Sequence, residues 1–373
     1  MANGFCPYLL QHIASIAGTA TPQYKVNTHG FLEMLVKAGN PNAIKVGNFD
    51  GHKKTVQVCY RQRFTKAQTD TALSCDQVNI PSKLEGVVSV GNSRQLAVQL
   101  DDELVAQYCN DASQMQALGG AMPATSVMNE VADIIFSGAN ALLQGVNEDV
   151  CGLVTWGKNV VSGSNAAVTV NLPKDASVQP LGGGMTKILT DYKQANLSGK
   201  PQVVGSGLML SYILQQSWKG LDMAGMDSRI STGMVDFYHD QDFASVVGAQ
   251  HFGVFEPGSI QLVEYLQNTG FQAGAKPDGS FFGILPLPMV DPTNNMIIPV
   301  KFDYQFKYSS CPQTLTNAYS GASVTVQKGW SIILSKQFGL WQIYNDAYRH
   351  EDPNRSVNGA LHYIASNDCD TCS

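Results

Sequence analysis

The sequence is poor in charge. Asp, Glu, Lys and Arg make up 14% of its 373 residues, where an ordinary soluble chain carries about 25%. Hydrophobic residues, at 44%, are not in excess, so uncharged polar residues and glycine fill the gap. A surface so weakly charged is poorly protected against association. One reading is that partners cover much of it; a secreted or cell-surface β-rich protein is the other. A basic face is lacking as well. The formal net charge is −6, and no cluster of Lys and Arg is present of the kind that grips phosphates.

Long apolar runs are absent too. No stretch of about eighteen apolar residues could form a membrane-spanning helix. Met1–Leu10 lacks the basic start and apolar core of an export signal. The eight cysteines, Cys6, Cys59, Cys75, Cys109, Cys151, Cys311, Cys369 and Cys372, are scattered along the chain. Without an export signal they are expected to be reduced thiols in a cytoplasm. Cys369 and Cys372 form a C-x-x-C with no second pair and no helix to open, which argues against a metal or redox role.

Catalytic motifs are equally scarce. Gly182-Gly183-Gly184 lacks the Lys-Ser/Thr of a phosphate loop and reads as a hinge. Gly205-Ser206-Gly207 is only a fragment of a nucleophile elbow, so Ser206 reads as a helix N-cap. The segment Val235-Asp236-Phe237-Tyr238-His239-Asp240-Gln241-Asp242 puts three carboxylates around His239, a set that could hold a metal or tune a base. Sequence neighbours rarely face one site, so a solvated loop or an inter-subunit polar contact is the better reading. His251 beside Phe252 and His350 beside Glu351 offer less. No catalytic, cofactor-binding or metal residue is assigned, and no cofactor is implied.

Periodicity gives an α+β chain. Thr28–Ala38 predicts a short helix, after an extended arm through Ala17–Pro22. Alternation of Val56, Val58 and Tyr60 predicts a strand over 53–65. Lys66–Thr71 reads as a polar hairpin tip, and strand character returns at Gln77–Ile80, Leu84–Val90 and Leu96–Leu100. Such a ribbon is marginal alone and needs a surface to lie on. Asp101 reads as the N-cap of a helix to Leu118, with Leu104, Tyr108, Ala112 and Met115 on its stripe and Gly119-Gly120 ending it. A second helix is expected over Ser126–Gln144, with Val127, Val131, Ile134, Ile135 and Leu142 inward and Gly145 as its stop.

Strand is expected at Val168–Val170, Pro201–Val204 and His251–Phe255, the last broken by Pro257-Gly258. Met185, Ile188, Leu189 and Tyr192 mark one helix, and Ser206–Ser217 another. Residues 270–280 read as a loop at a domain boundary. Val300, Phe302, Tyr304, Phe306 and Tyr308 alternate with polar residues, which predicts one buried and one wet face. Further strand is expected at Val324–Val326, Ser331–Leu334 and Gly339–Ile343. From Asp346 onward the chain reads as a polar tail.

This order of elements resembles the Hong Kong 97-like fold of tailed-bacteriophage major capsid proteins. Pro201-Gln202-Val203-Val204-Gly205-Ser206-Gly207-Leu208 and Ile298-Pro299-Val300-Lys301-Phe302-Asp303-Tyr304 look similar to axial-domain and late-strand segments of that family. The resemblance implies an N-terminal arm (1–45), an extended hairpin loop (46–100), a spine helix with the first part of a peripheral domain (101–181), an axial domain (182–280), the second part of the peripheral domain (281–345) and a C-terminal tail (346–373). It also implies a non-enzymatic shell protein that assembles with itself as hexamers and pentamers. Its further partners would be a separate scaffolding protein, a portal, a decoration protein, and double-stranded DNA packaged without sequence-specific contact. The shell would be built in the host cytoplasm and end as the virion capsid, with no membrane. Fewer than fifty residues precede the hairpin, so no fused scaffolding region is expected. The lysine–asparagine crosslink of some relatives has no match here. An encapsulin-like compartment shell or another phage structural protein stays open as an alternative; a metal-dependent enzyme built on Asp236–Asp242 is a weaker one.

Overall fold

The computed structural model describes residues 29–37, 45–46, 55–61, 83–117, 125–157, 165–172, 184–195, 197–209, 211, 235–266, 274–275, 281–290, 297–309, 311–316, 323–326, 328–343 and 359–366. In chain order the elements are α1 (Gly30–Lys37), β1 (Lys45–Val46), β2 (Thr55–Arg61), β3 (Lys83–Ser89), β4 (Asn92–Leu100), α2 (Asp102–Ala117) and α3 (Ser126–Gly152). Then come β5 (Val168–Asn171), α4 (Gly184–Gln194), β6 (Gln202–Gly205), β7 (Asp236–His239), α5 (Gln241–Val246), β8 (His251–Phe255) and β9 (Ile260–Tyr265). The last are β10 (Gly274–Ala275), β11 (Phe281–Val290), β12 (Ile297–Ser309), β13 (Gln313–Thr316), β14 (Ser323–Val326), β15 (Gly329–Gln342) and β16 (Ala360–Ser366). The protein is α+β. Among the described residues no helix is long and apolar enough to cross a membrane.

The chain divides into two compact units. One is drawn from Met1–Thr28, Gly91–Val146 and Glu264–Phe338, the other from His29–Val90, Asn147–Val263 and Gly339–Ser373.

The first unit is organised by an antiparallel sheet in the order β10-β11-β12-β15-β4. β12 buries Val300, Phe302, Tyr304 and Phe306 as its alternation predicts. Two details depart from expectation. Tyr308 is 40% exposed, its ring meeting Trp330 edge-on at 5.1 Å. Asp303, expected on the wet face, is buried. β11 was not anticipated. Its Pro286 and Pro288 lie beyond the two-residue pairing with β10, where, among the described residues, β11 is paired with β12 alone. Proline is tolerated at such an unpaired edge.

Asp101 caps α2 as expected, accepting the Glu103 amide at 3.0 Å. Leu104 is half-buried and Tyr108 buried, with Val105 beside them; the side chains of Ala112 and Met115, and Gly119-Gly120, lie outside the described residues. Thr125 caps α3, its hydroxyl accepting the Met128 amide at 3.3 Å. The helix is 27 residues long, about 40 Å at 1.5 Å per residue. Gly145 does not stop it, contrary to the sequence reading. A Cβ there would sit 3.4 Å from the Arg94 guanidinium, and one at Gly138 would sit 3.2 Å from Leu96 and 3.3 Å from Val98. Gly138 serves close approach to β4, whereas a Cβ at Gly145 would make ordinary contact with Arg94. The buried stripe in this unit runs through Met128, Val131, Ala132, Ile135, Phe136, Ala139, Leu142, Leu143 and Val146. Val127 and Ile134, expected inward, are only half-buried.

The second unit carries a five-stranded sheet in the order β5-β16-β8-β6-β7. β16 runs parallel to β5 and antiparallel to β8. The polar-tail reading from Asp346 is therefore corrected over residues 360–366. Ala360, Leu361, Tyr363 and Ala365 are buried in the sheet. One face packs Val203, Phe237, Phe252, Val254, Leu361 and Tyr363 against Ile188 and Tyr192 of α4. α1 forms as predicted and packs on β6 and β7, burying Phe31, Leu32, Met34 and Leu35. β1, β2 and β3 make a separate antiparallel sheet. β2 and β3 pair from Thr55↔Ser89 to Arg61↔Lys83. The expected hairpin tip and the Gln77–Ile80 strand lie outside the described residues, as do 1–28, 212–234, His350 with Glu351, and Cys369 with Cys372.

Candidate functional site

The acidic run that drew attention in the sequence is not a loop, and its three carboxylates are buried. Asp236–His239 form an edge strand, and Asp240 caps α5 from an extended backbone, accepting the Phe243 amide. Alternation turns the side chains of the run to different surroundings. His239 is exposed, whereas Asp236, Asp240 and Asp242 are buried. Asp236 is drawn off to Lys200 at 2.8 Å. The three carboxylates therefore do not converge on His239.

Asp240 and Asp242 instead meet two residues from distant parts of the chain. The side-chain amide nitrogen of Asn147, on α3, lies 3.1 Å from both Asp240 carboxylate oxygens and 3.0 Å from Asp242 Oδ2. The Phe31 amide donates to Asp240 at 2.7 Å, and His29 Nδ1 lies 2.8 Å from Asp242 Oδ2. Sequence reasoning missed Asn147 and His29, which nothing local marks. The result ties the start of α1 and the last turns of α3 to the β7–α5 corner. Among the described residues, Asn147 Oδ1 and His29 Nε2 have no hydrogen-bond partner. Cys151, one turn on from Asn147, is held strongly protonated, first by burial and then by Asp240 and Asp242.

Chemically this cluster is saturated with internal donors. Among the described residues no group of three or more His, Cys, Asp or Glu side chains is arranged to hold a metal ion. Ser206 donates its hydroxyl to the Ala249 carbonyl at 2.8 Å. Gly184 opens α4 with φ of 57°, while Gly182 and Gly183 lie outside the described residues. Cys151 and Cys311 are free thiols.

A second polar pair was not anticipated. His251 Nδ1 lies 2.8 Å from His362 Nε2, and the His362 ring stacks on Trp156 at 4.2 Å between centroids. The two histidines are 111 residues apart, so no local pattern could announce them.

No protein-family description matches the chain, and no curated protein sequence does. Solved structures do resemble it. One, described as the capsid asymmetric unit of cyanophage A-1(L), is 12% identical with a TM-score of 0.48, over 93% of this chain and 96% of its own. A structure from Mycobacterium phage Adephagia is 8% identical with a TM-score of 0.45, over 96% and 97%. One from Mycobacterium phage Cain is 10% identical with a TM-score of 0.44, over the same shares of the two chains.

Proposed function

We propose that this chain is the major subunit of a tailed-phage capsid, a protein whose work is to assemble with copies of itself around packaged double-stranded DNA. One observation carries the reading. The first unit is built from 91–146 and 264–338, on both sides of a 147–263 stretch that belongs to the other unit. A peripheral domain interrupted by an axial one has this chain path. In this reading the β10-β11-β12-β15-β4 sheet and α3 are peripheral, and the five-stranded sheet is axial.

In this reading the paired β2 and β3 belong to the extended loop that the resemblance implies at 46–100. Val87 on β3 is 70% exposed, an apolar side chain for a neighbouring copy to cover. Low charge density fits a surface largely buried in permanent contacts, which commonly exceed about 2,000 Å². Ring contacts that close would give the hexamers and pentamers of an icosahedral shell. A separate scaffolding protein, a portal and a decoration protein are the remaining partners of this reading. The assembled form belongs in the virion, after assembly in the host cytoplasm. No residue is given a catalytic role.

Negative-stain images of concentrated protein, alone and with a scaffolding protein, test it. Shells, rings or sheets are expected; a monomer under every condition overturns the reading. Shortening 62–82 should leave the circular dichroism spectrum intact and abolish assembly. Normal shells from that variant would remove the loop from the proposal.

A further inference from the structure

β8 and β16 run antiparallel with His251 opposite Ile364 and His362 opposite Gly253. His251 and His362 are therefore diagonal neighbours on one face of the sheet, within reach of each other across the pair. Two glycines clear the ground for them. A Cβ on Gly248, whose φ is +139°, would sit 2.3 Å from the His251 ring. A Cβ on Gly253 would sit 2.6 Å from the Phe255 ring and 3.0 Å from Trp156, so the missing side chain opposite His362 leaves room for both rings. Trp156 is itself anchored. The Gln342 side chain brackets Thr155, accepting its amide at 3.0 Å and donating to its carbonyl at 2.7 Å. The Gly157 amide donates to the Ala360 carbonyl at 2.9 Å. Beneath it, Trp156 meets Phe255 at 5.9 Å and Phe243 at 6.2 Å.

An imidazole–imidazole hydrogen bond has one strict requirement. One facing nitrogen carries a hydrogen and the other keeps its lone pair. The pair can therefore hold one positive charge and remain bonded, but not two. With both rings protonated, two N–H groups and two cations face each other where the bond had been. We propose that His251 and His362 form an acid-operated latch, closed while one facing nitrogen is bare and opened by the second proton, which frees Trp156 and the exit of α3 from the β8–β16 surface.

The electrostatics agree. Burial first, and the neighbouring His251 second, push His362 down to about 4. Among the described residues, the carboxylates of the α5 corner, Asp240 and Asp242, are engaged with Asn147, Phe31 and His29, and the charge that acts on His362 is that of His251. Because the folded value lies below the ordinary histidine range near 6.5, the latch contributes its full stability above about pH 6.5. That contribution declines as pH falls from there towards 4.

Trp156 is a built-in reporter. Its fluorescence, taken as the difference between the protein and its Trp156→Phe variant, should change reversibly between pH 6.5 and 4. Amide exchange across 360–366, corrected for intrinsic rates, should rise at least tenfold over the same range. Both responses should vanish in His362→Gln and in His251→Gln, which keep a polar side chain but do not titrate. An unchanged response in either variant, or no response in the wild-type protein above its global acid unfolding, overturns the latch. If the variants do not fold, histidine C2-hydrogen exchange read by mass spectrometry on the wild-type chain decides. His362 titrating near 4 supports the latch, and His362 titrating near 6.5 overturns it.

Discussion

The side-chain amide of Asn147 sits between two carboxylates, 3.1 Å from both oxygens of Asp240 and 3.0 Å from Asp242. Asn147 is fully buried, so no water replaces its donors when they are removed. Asn147→Ala should cost about 2–3 kcal/mol, the penalty for leaving buried charged acceptors short of a donor. Asn147→Asp should cost more, because a third carboxyl would stand where the donor was. Urea unfolding followed by circular dichroism measures both.

Gly30 admits the backbone of β7 to the start of α1. A Cβ at this position would lie 2.2 Å from the His239 carbonyl oxygen. The obstacle is main chain and cannot rotate aside. Gly30→Ala should therefore destabilise by about 1–3 kcal/mol, in the range of overpacked sites, although alanine is the better helix former. Chemical denaturation should show a lower midpoint with an unchanged slope.

Lys336 is buried in the middle of β15, 1% exposed, with Nζ 2.6 Å from Glu264. It also donates to the Lys301 carbonyl at 3.0 Å and lies over the Phe302 ring. Glu264→Ala should cost about 2 kcal/mol, the size expected for a bond to a charged group. Lys336→Met should change stability by less than about 1 kcal/mol, since an apolar side chain of similar length removes the buried charge with its partner's task. Thermal unfolding of the two variants side by side tests this asymmetry.

Cys151 and Cys311 should differ sharply towards thiol reagents. Cys151 is buried and its thiol is pushed far up by burial and the nearby carboxylates, so almost no thiolate forms at pH 8. Cys311 is exposed. Reactivity follows thiolate and access. Iodoacetamide labelling read by peptide mass spectrometry should modify Cys311 within minutes in the native protein and Cys151 only after denaturant is added.

Much of this architecture was legible because it follows periodicity. The alternation of Val300 to Phe306 became a buried strand face, and Asp101 announced the start of α2. The failures share a cause: tertiary context overrode a local signal. Strand was expected separately at Ser331–Leu334 and Gly339–Ile343, yet β15 runs unbroken across Lys336, whose charge is received by Glu264 and the Lys301 carbonyl. Gly145 reads as a stop, yet α3 continues through it to Gly152. At the polar cluster, the sequence showed the carboxylates and hid their partners. Asn147 lies 93 positions from Asp240 and His29 lies 213 from Asp242, distances at which no window of sequence can see a contact.

β16 fills the second position of a five-stranded sheet, yet it follows every other strand of that sheet along the chain. During translation β5, β6, β7 and β8 must therefore wait, with β5 lacking the strand it pairs with and β8 bare along one side. Closing such remote pairings is slow, and waiting edges attract wrong partners. Within this sheet, the arrival of β16 sets the moment at which the waiting edges of β5 and β8 are covered.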